Sequence, residues 1–126
     1  MTTTQLDDFT SGYIEAAFFT DTGYPENGDL EDADPSEIVP ASLAAVIADC
    51  ANWQSANAEL LQLAYERDYE PVQAGRDYWL TRNGHGVGFW DRSELEADKL
   101  GDKLSDTCRY NGVDMYRGED GLIYLD

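Results

Sequence analysis

Apolar residues recur at helical spacing from about Gln5 to Thr20, where Leu6, Phe9, Tyr13 and Ala17 form a stripe widened by Ile14 and Phe18. This predicts an amphipathic helix packed on a core. Gly12 sits inside it and weakens it by roughly 1 kcal/mol relative to alanine. Asp21–Thr22–Gly23 and Pro25 end it. A second and longer pattern starts at Pro40, a residue suited to the first turn of a helix, and runs to about Arg67. Its stripe contains Leu43, Val46, Ile47, Cys50, Trp53, Leu60, Leu61 and Ala64. Asn57 falls in the same stripe and needs a hydrogen-bond partner if it is buried.

From Arg76 the apolar period changes to two. Asp77–Tyr78–Trp79–Leu80–Thr81–Arg82 alternates, Asn83–Gly84–His85–Gly86 marks a turn, and Val87–Gly88–Phe89–Trp90–Asp91 alternates again. Aromatic and β-branched runs flanking an Asn-Gly pair predict a β-hairpin. Ser93 with Glu96 three residues later reads as a capping box opening a helix over Glu94–Tyr110, with Leu95, Leu100, Leu104 and Cys108 on its buried side. Asn111–Gly112 ends it. Val113–Tyr116 and Leu122–Leu125, joined by the turn Arg117–Gly121, predict a second hairpin. The expected fold is a single α+β domain over residues 1–126. Its first part (1–75) is acidic and helical, and its second (76–126) is hairpin, helix, hairpin. Together these imply a four-stranded, mainly antiparallel sheet covered by helices.

Charge adds the next constraint. The 126 residues carry 26 acidic and 8 basic side chains, a formal net charge of −18. On the roughly 6,700 Å² expected for a folded chain of this mass, that is one excess negative charge per ~370 Å². Such a surface disfavours direct binding to nucleic acid or to an anionic membrane. No stretch approaches the ~20 apolar residues of a spanning helix, and residues 1–20 lack a basic segment followed by an apolar run. The expectation is a cytoplasmic protein. The acid is lopsided: residues 1–75 hold 15 acids and one base, Arg67, for a net of −14, and residues 76–126 hold 11 acids and 7 bases, for a net of −4.

Seven of those acids lie in one run from 21 to 37: Asp21, Glu26, Asp29, Glu31, Asp32, Asp34 and Glu37. An EF-hand reading fails in either register. Starting at Asp29 puts Ala33 at the fifth position and Asp34 where glycine belongs; starting at Asp32 puts Glu37 there. The run reads instead as a solvated loop or, with Asp49 and Glu59, as an acidic patch for a cationic site on a partner. No cofactor or metal is expected. Cys50 and Cys108 have no metal-binding spacing and read as small core residues, with a disulfide not expected. His85 is the only histidine, which excludes His-rich zinc sites.

The segment DYWLTRNGHGVGFWDR, from Asp77 to Arg92, resembles a family of small, acidic, functionally uncharacterised proteins of tailed bacteriophages and related mobile elements. Further resemblance lies in Tyr13–Ile14–Glu15–Ala16–Ala17, in Ala48–Asp49–Cys50 and in the closing VDMYRGEDGLIYL. The resemblance implies a protein acting in the cytoplasm of a bacterial host and brings no activity with it.

Three classes of function fit these observations. In the first, the acidic part imitates the phosphates of nucleic acid and blocks a cationic host nucleic-acid-binding or defence protein. In the second, a structural or housekeeping protein is acidic for solubility. In the third, an enzyme uses His85 with Asp91 and Arg82 or Arg92, although no nucleophile stands near a base in the pattern. If Trp79 and Trp90 point away from the core, they form with Arg82, His85 and Arg92 a second partner-binding surface. Halophilic adaptation fits the two lysines against six arginines, but predicts acid spread over the whole surface rather than concentrated in one part.

Overall fold

The computed structural model describes residues 6–21, 35–84, 88–108, 113 and 115–125. Helix α1 spans Asp8–Asp21, α2 Pro40–Ala56, α3 Ala58–Tyr65, α4 Pro71–Arg82 and α5 Leu100–Asp106. Strands β1 (Met115–Arg117) and β2 (Ile123–Leu125) form a two-stranded antiparallel sheet with Tyr116 opposite Tyr124. The expected four-stranded sheet is therefore corrected: the described chain is mostly helical, and the second hairpin alone is present.

The first hairpin is replaced by α4. Pro71 occupies its first turn, and Asn83 and Gly84 close its end. The Asn83 side chain donates to the Trp79 carbonyl (2.9 Å), and Gly84 adopts a left-handed φ of 66°. An Asn-Gly pair serves a helix terminus as well as a hairpin turn, since both need positive φ. The alternation that suggested a strand arises because α4 is buried on nearly every side. Ala74, Gly75, Asp77, Tyr78, Trp79, Thr81 and Arg82 are all buried, so no single apolar stripe shows.

Two more expectations change. The long helix from Pro40 breaks at Asn57, which is buried and donates its side-chain amide to the Trp53 carbonyl at 3.0 Å. The Asn57 backbone leaves the helical region (φ −117°, ψ 23°), and α3 starts afresh at the next residue. The expected second strand of the first hairpin, Val87–Asp91, holds the 3-10 turn Phe89–Asp91. The helix over Glu94–Tyr110 is instead the 3-10 turns Ser93–Leu95 and Ala97–Lys99 followed by the short α5, its expected end at Asn111–Gly112 lying outside the described residues. Asp98 and Lys99 both take positive φ, 61° and 55°, which interrupts any continuous helix. Ser93 makes no cap; its hydroxyl lies 3.5 Å from Glu94 Oε1. Leu95, Leu100, Leu104 and Cys108 are nevertheless buried, as their spacing predicts.

The largest packing joins α1 to α4. Gly12 and Gly75 make it close: a Cβ on Gly12 would stand 2.0 Å from the Val72 carbonyl oxygen, and one on Gly75 1.8 Å from that of Phe9. Asp7 caps α1 by accepting the Thr10 backbone N–H at 2.8 Å. Beside this pair an aromatic stack fills the core. The Trp53 ring lies 4.5 Å from Tyr78, 5.6 Å from Phe9 and 5.6 Å from Phe89, centroid to centroid. The small sheet joins the helices through Ile38, a parallel bridge partner of Ile123, and through the Leu125 N–H donating to Ser42 Oγ at 3.2 Å. Among the described residues no helix is long and apolar enough to cross a membrane.

Candidate functional site

Helix α4 carries two carboxylate–guanidinium centres on opposite sides. In the first, Asp77 is 0% exposed and accepts four hydrogen bonds. Arg92 donates two of them in a fork, from Nε (2.9 Å) and Nη2 (2.6 Å), Tyr69 donates its hydroxyl at 2.5 Å, and Gln73 its amide at 3.1 Å. A buried carboxylate is tolerable only when saturated in this way. The bonds to Asp77 lead in raising the Arg92 pKa above its ordinary value. Burial first, and then the Asp77 charge, push the Tyr69 phenol far up.

In the second centre, buried Arg82 pairs with Asp49 of α2. It also donates to the Tyr78 and Tyr13 hydroxyls at 3.1 and 3.3 Å, with its guanidinium 4.9 Å from the Tyr78 ring centre. Burial works against its charge, and Tyr13, Tyr78 and Asp49 outweigh that effect and hold its pKa above the ordinary value. These centres tie α4 to α1, α2 and the segment after Trp90.

The residues expected to form a second partner-binding surface are dispersed by this arrangement. Trp79 is 1% exposed and donates its indole N–H to Thr20 Oγ1 at 2.8 Å. Arg82 lies inside, and of the described members only Trp90 and part of Arg92 reach the surface. The exposed tryptophan pair does not form, because α4 turns Trp79 into the core against Tyr13. His85 lies outside the described residues. Asp91, grouped with His85 in the enzyme reading, accepts the Gly88 backbone N–H at 3.1 Å.

Of the acidic patch, Glu26, Asp29, Glu31, Asp32 and Asp34 lie outside the described residues, and Asp21 is the last residue of α1. Glu37 is half-buried in the 3-10 turn Pro35–Glu37, Asp49 faces Arg82, and Glu59 is exposed in the first turn of α3. The connection from α3 to α4 adds three exposed carboxylates that the loop-centred reading passed over: Glu66, Asp68 and Glu70. Their clustering is visible in the sequence as four charges in five positions with Arg67 among them.

The bases are arranged differently. Arg67, Arg76, Arg82 and Arg92 each pair with one carboxylate, on Asp98, Glu15, Asp49 and Asp77 respectively. Arg67, the one base of residues 1–75, turns away from them to Asp98 and to the Ala97 carbonyl at 2.9 Å. Asp8, Glu59, Glu66, Asp68 and Glu70 have no ion-pair partner among the described residues. Among those residues no group of three or more His, Cys, Asp or Glu side chains could hold a metal ion. Cys50 and Cys108 are free and buried, and burial leads in pushing both thiols up to about 12, far from an activated nucleophile.

Comparison with protein families, curated proteins and solved structures finds no match.

Proposed function

We propose that this protein is a non-enzymatic protein-binding module that presents carboxylates to a cationic site on another protein. Its closest chemical description is a nucleic-acid mimic that inhibits a nucleic-acid-binding or defence protein in a bacterial host. The observation that carries the reading is the fate of the arginines. Four of them are each engaged by a carboxylate, whereas Glu59, Glu66, Asp68 and Glu70 stand exposed without such a partner among the described residues. A carboxylate on a folded surface meets the same guanidinium and ammonium groups that otherwise meet phosphate, and a net charge of −18 steers a cationic partner toward it. The resemblance to bacteriophage proteins supports the choice of host.

The test is recovery of a partner from bacterial lysate at low and at high salt, followed by association kinetics. The expected result is one nucleic-acid-binding protein, retained at low salt, with an on-rate that falls steeply as salt rises. Reversing Glu66 and Glu70 together to lysine slows association and leaves the fold intact, because exposed charges contribute little to stability. The protein itself shifts neither DNA nor RNA in a gel at micromolar concentration near physiological salt. A partner affinity that is flat in salt and indifferent to the reversals refutes the reading and leaves acidity as a device for solubility.

A further inference from the structure

A groove of about 680 Å³ runs between α1 and α4 on the side away from Arg82. Its volume lies within the roughly 300–1,000 Å³ usual for small-ligand clefts. Two guanidiniums reach it in a protein otherwise dominated by carboxylates. Arg92 spends Nε and Nη2 on Asp77, and its Nη1 has no hydrogen-bond partner among the described residues on a side chain that is still 31% exposed. Arg76 spends Nη2 on Glu15 at 2.8 Å and Nη1 weakly on Gln73 at 3.4 Å, and its buried Nε has no partner among the described residues. Gln73 stands between the two and orients both, its carbonyl toward Arg76 and its amide on the Asp77 that holds Arg92.

The rest of the groove is lined by Ala16, Phe19 and Leu80 together with Thr20 and Glu15. The Phe19 ring, 80% exposed, and half-buried Leu80 flank the guanidiniums. The side chain of Glu15 is 60% exposed, so its pair with Arg76 is weak and open to exchange. Its carboxylate occupies the position that the acidic head of a ligand would take. A polyanion is excluded, since each added charge meets the field of the whole −18 surface. A single anionic head is not, because carboxylates beyond the ~8 Å Debye length at physiological ionic strength are screened while the guanidiniums are in contact.

We propose that the α1–α4 groove binds a small organic monoanion, its carboxylate, sulfonate or similar head on Arg76 and Arg92 and its aromatic or aliphatic body on Phe19 and Leu80. The site is independent of the partner-binding surface.

Two probes of the same ring system test it: anilinonaphthalene sulfonate, which carries one negative charge, and the uncharged phenylnaphthylamine. Titration by fluorescence and calorimetry is expected to give one saturable site for the sulfonate, about tenfold tighter than for the uncharged probe, as one charge-assisted contact provides. Arg76→Gln should erase that preference, Phe19→Ala should weaken both probes, and Glu15→Gln should tighten the sulfonate several-fold by releasing Arg76. Unchanged near-ultraviolet circular dichroism shows that each variant keeps its packing, and Glu15→Gln, altering only an exposed side chain, serves if Arg76→Gln does not fold. Absence of saturable binding, equal affinity for the two probes, or a sulfonate affinity that Glu15→Gln leaves unchanged would overturn the proposal.

Discussion

Replacing Asp77 with alanine removes the acceptor for four hydrogen bonds at the centre of the protein. Breaking a buried ion pair from one side costs about 3–5 kcal/mol, and a stranded buried hydroxyl, here that of Tyr69, adds about 1–3 kcal/mol. The Arg92 side chain is 31% exposed and can turn part of its head to water, which brings the total to the lower end, about 3–5 kcal/mol. That is a large share of the 5–15 kcal/mol typical of a domain. At about 4 °C per kcal/mol for a chain of this size, the melting temperature should fall by roughly 12–20 °C. Tyr69→Phe, which removes one hydroxyl and keeps the ring, should cost only about 1–2 kcal/mol. Urea and thermal unfolding followed by circular dichroism measure each difference, with Glu59→Ala as an exposed reference expected within about 0.5 kcal/mol of the parent. An Asp77→Ala protein no less stable than Glu59→Ala would refute the assignment of Asp77 as the residue that anchors α4.

Gly12→Ala and Gly75→Ala each drive a Cβ into a backbone carbonyl of the facing helix, so despite the better helix propensity of alanine each should destabilise by about 1–3 kcal/mol; a gain in urea midpoint for either would contradict the close crossing. Asp7→Ala should cost about 1 kcal/mol as a lost cap. Burial acts to raise the Asp7 carboxyl, and hydrogen bonds from Thr10 and Gln54 outweigh it and hold it below its ordinary value. Its contribution is therefore present above the unfolded pKa and lost as pH falls through the folded one, and an acid titration of Asp7→Ala against the parent should show the difference narrowing below about pH 4. At the alkaline end Cys50 and Cys108 keep their protons to about 12 when folded but release them near 9 when unfolded. Stability should fall as pH rises between those values, with a shallower fall in Cys50→Ala measured by urea unfolding across that range.

Sequence by itself determined those elements whose burial is one-sided and whose ends are locally encoded. The stripe of α1 puts Phe9, Tyr13, Ile14 and Ala17 in the core. Pro40 opens α2, the cysteines are small core residues, and the closing hairpin has its turn at Gly118 and Gly121. The excess of acid in residues 1–75 is likewise a matter of counting. What only the tertiary structure decided is α4 and everything that hangs on it. Its polar side chains are buried because partners far along the chain satisfy them: Tyr69 and Arg92 for Asp77, Asp49 and Tyr13 for Arg82, Thr20 for Trp79. Those partners erase the hydrophobic periodicity by which a helix is read, so an interior helix with polar anchors resembles a strand in sequence. Gly12 looks like a flaw in α1 until Val72 is seen against it. Arg82 and Arg92 look like part of an exposed surface until each is found facing a carboxylate, because pairing depends on proximity in space and leaves no mark on the order of residues.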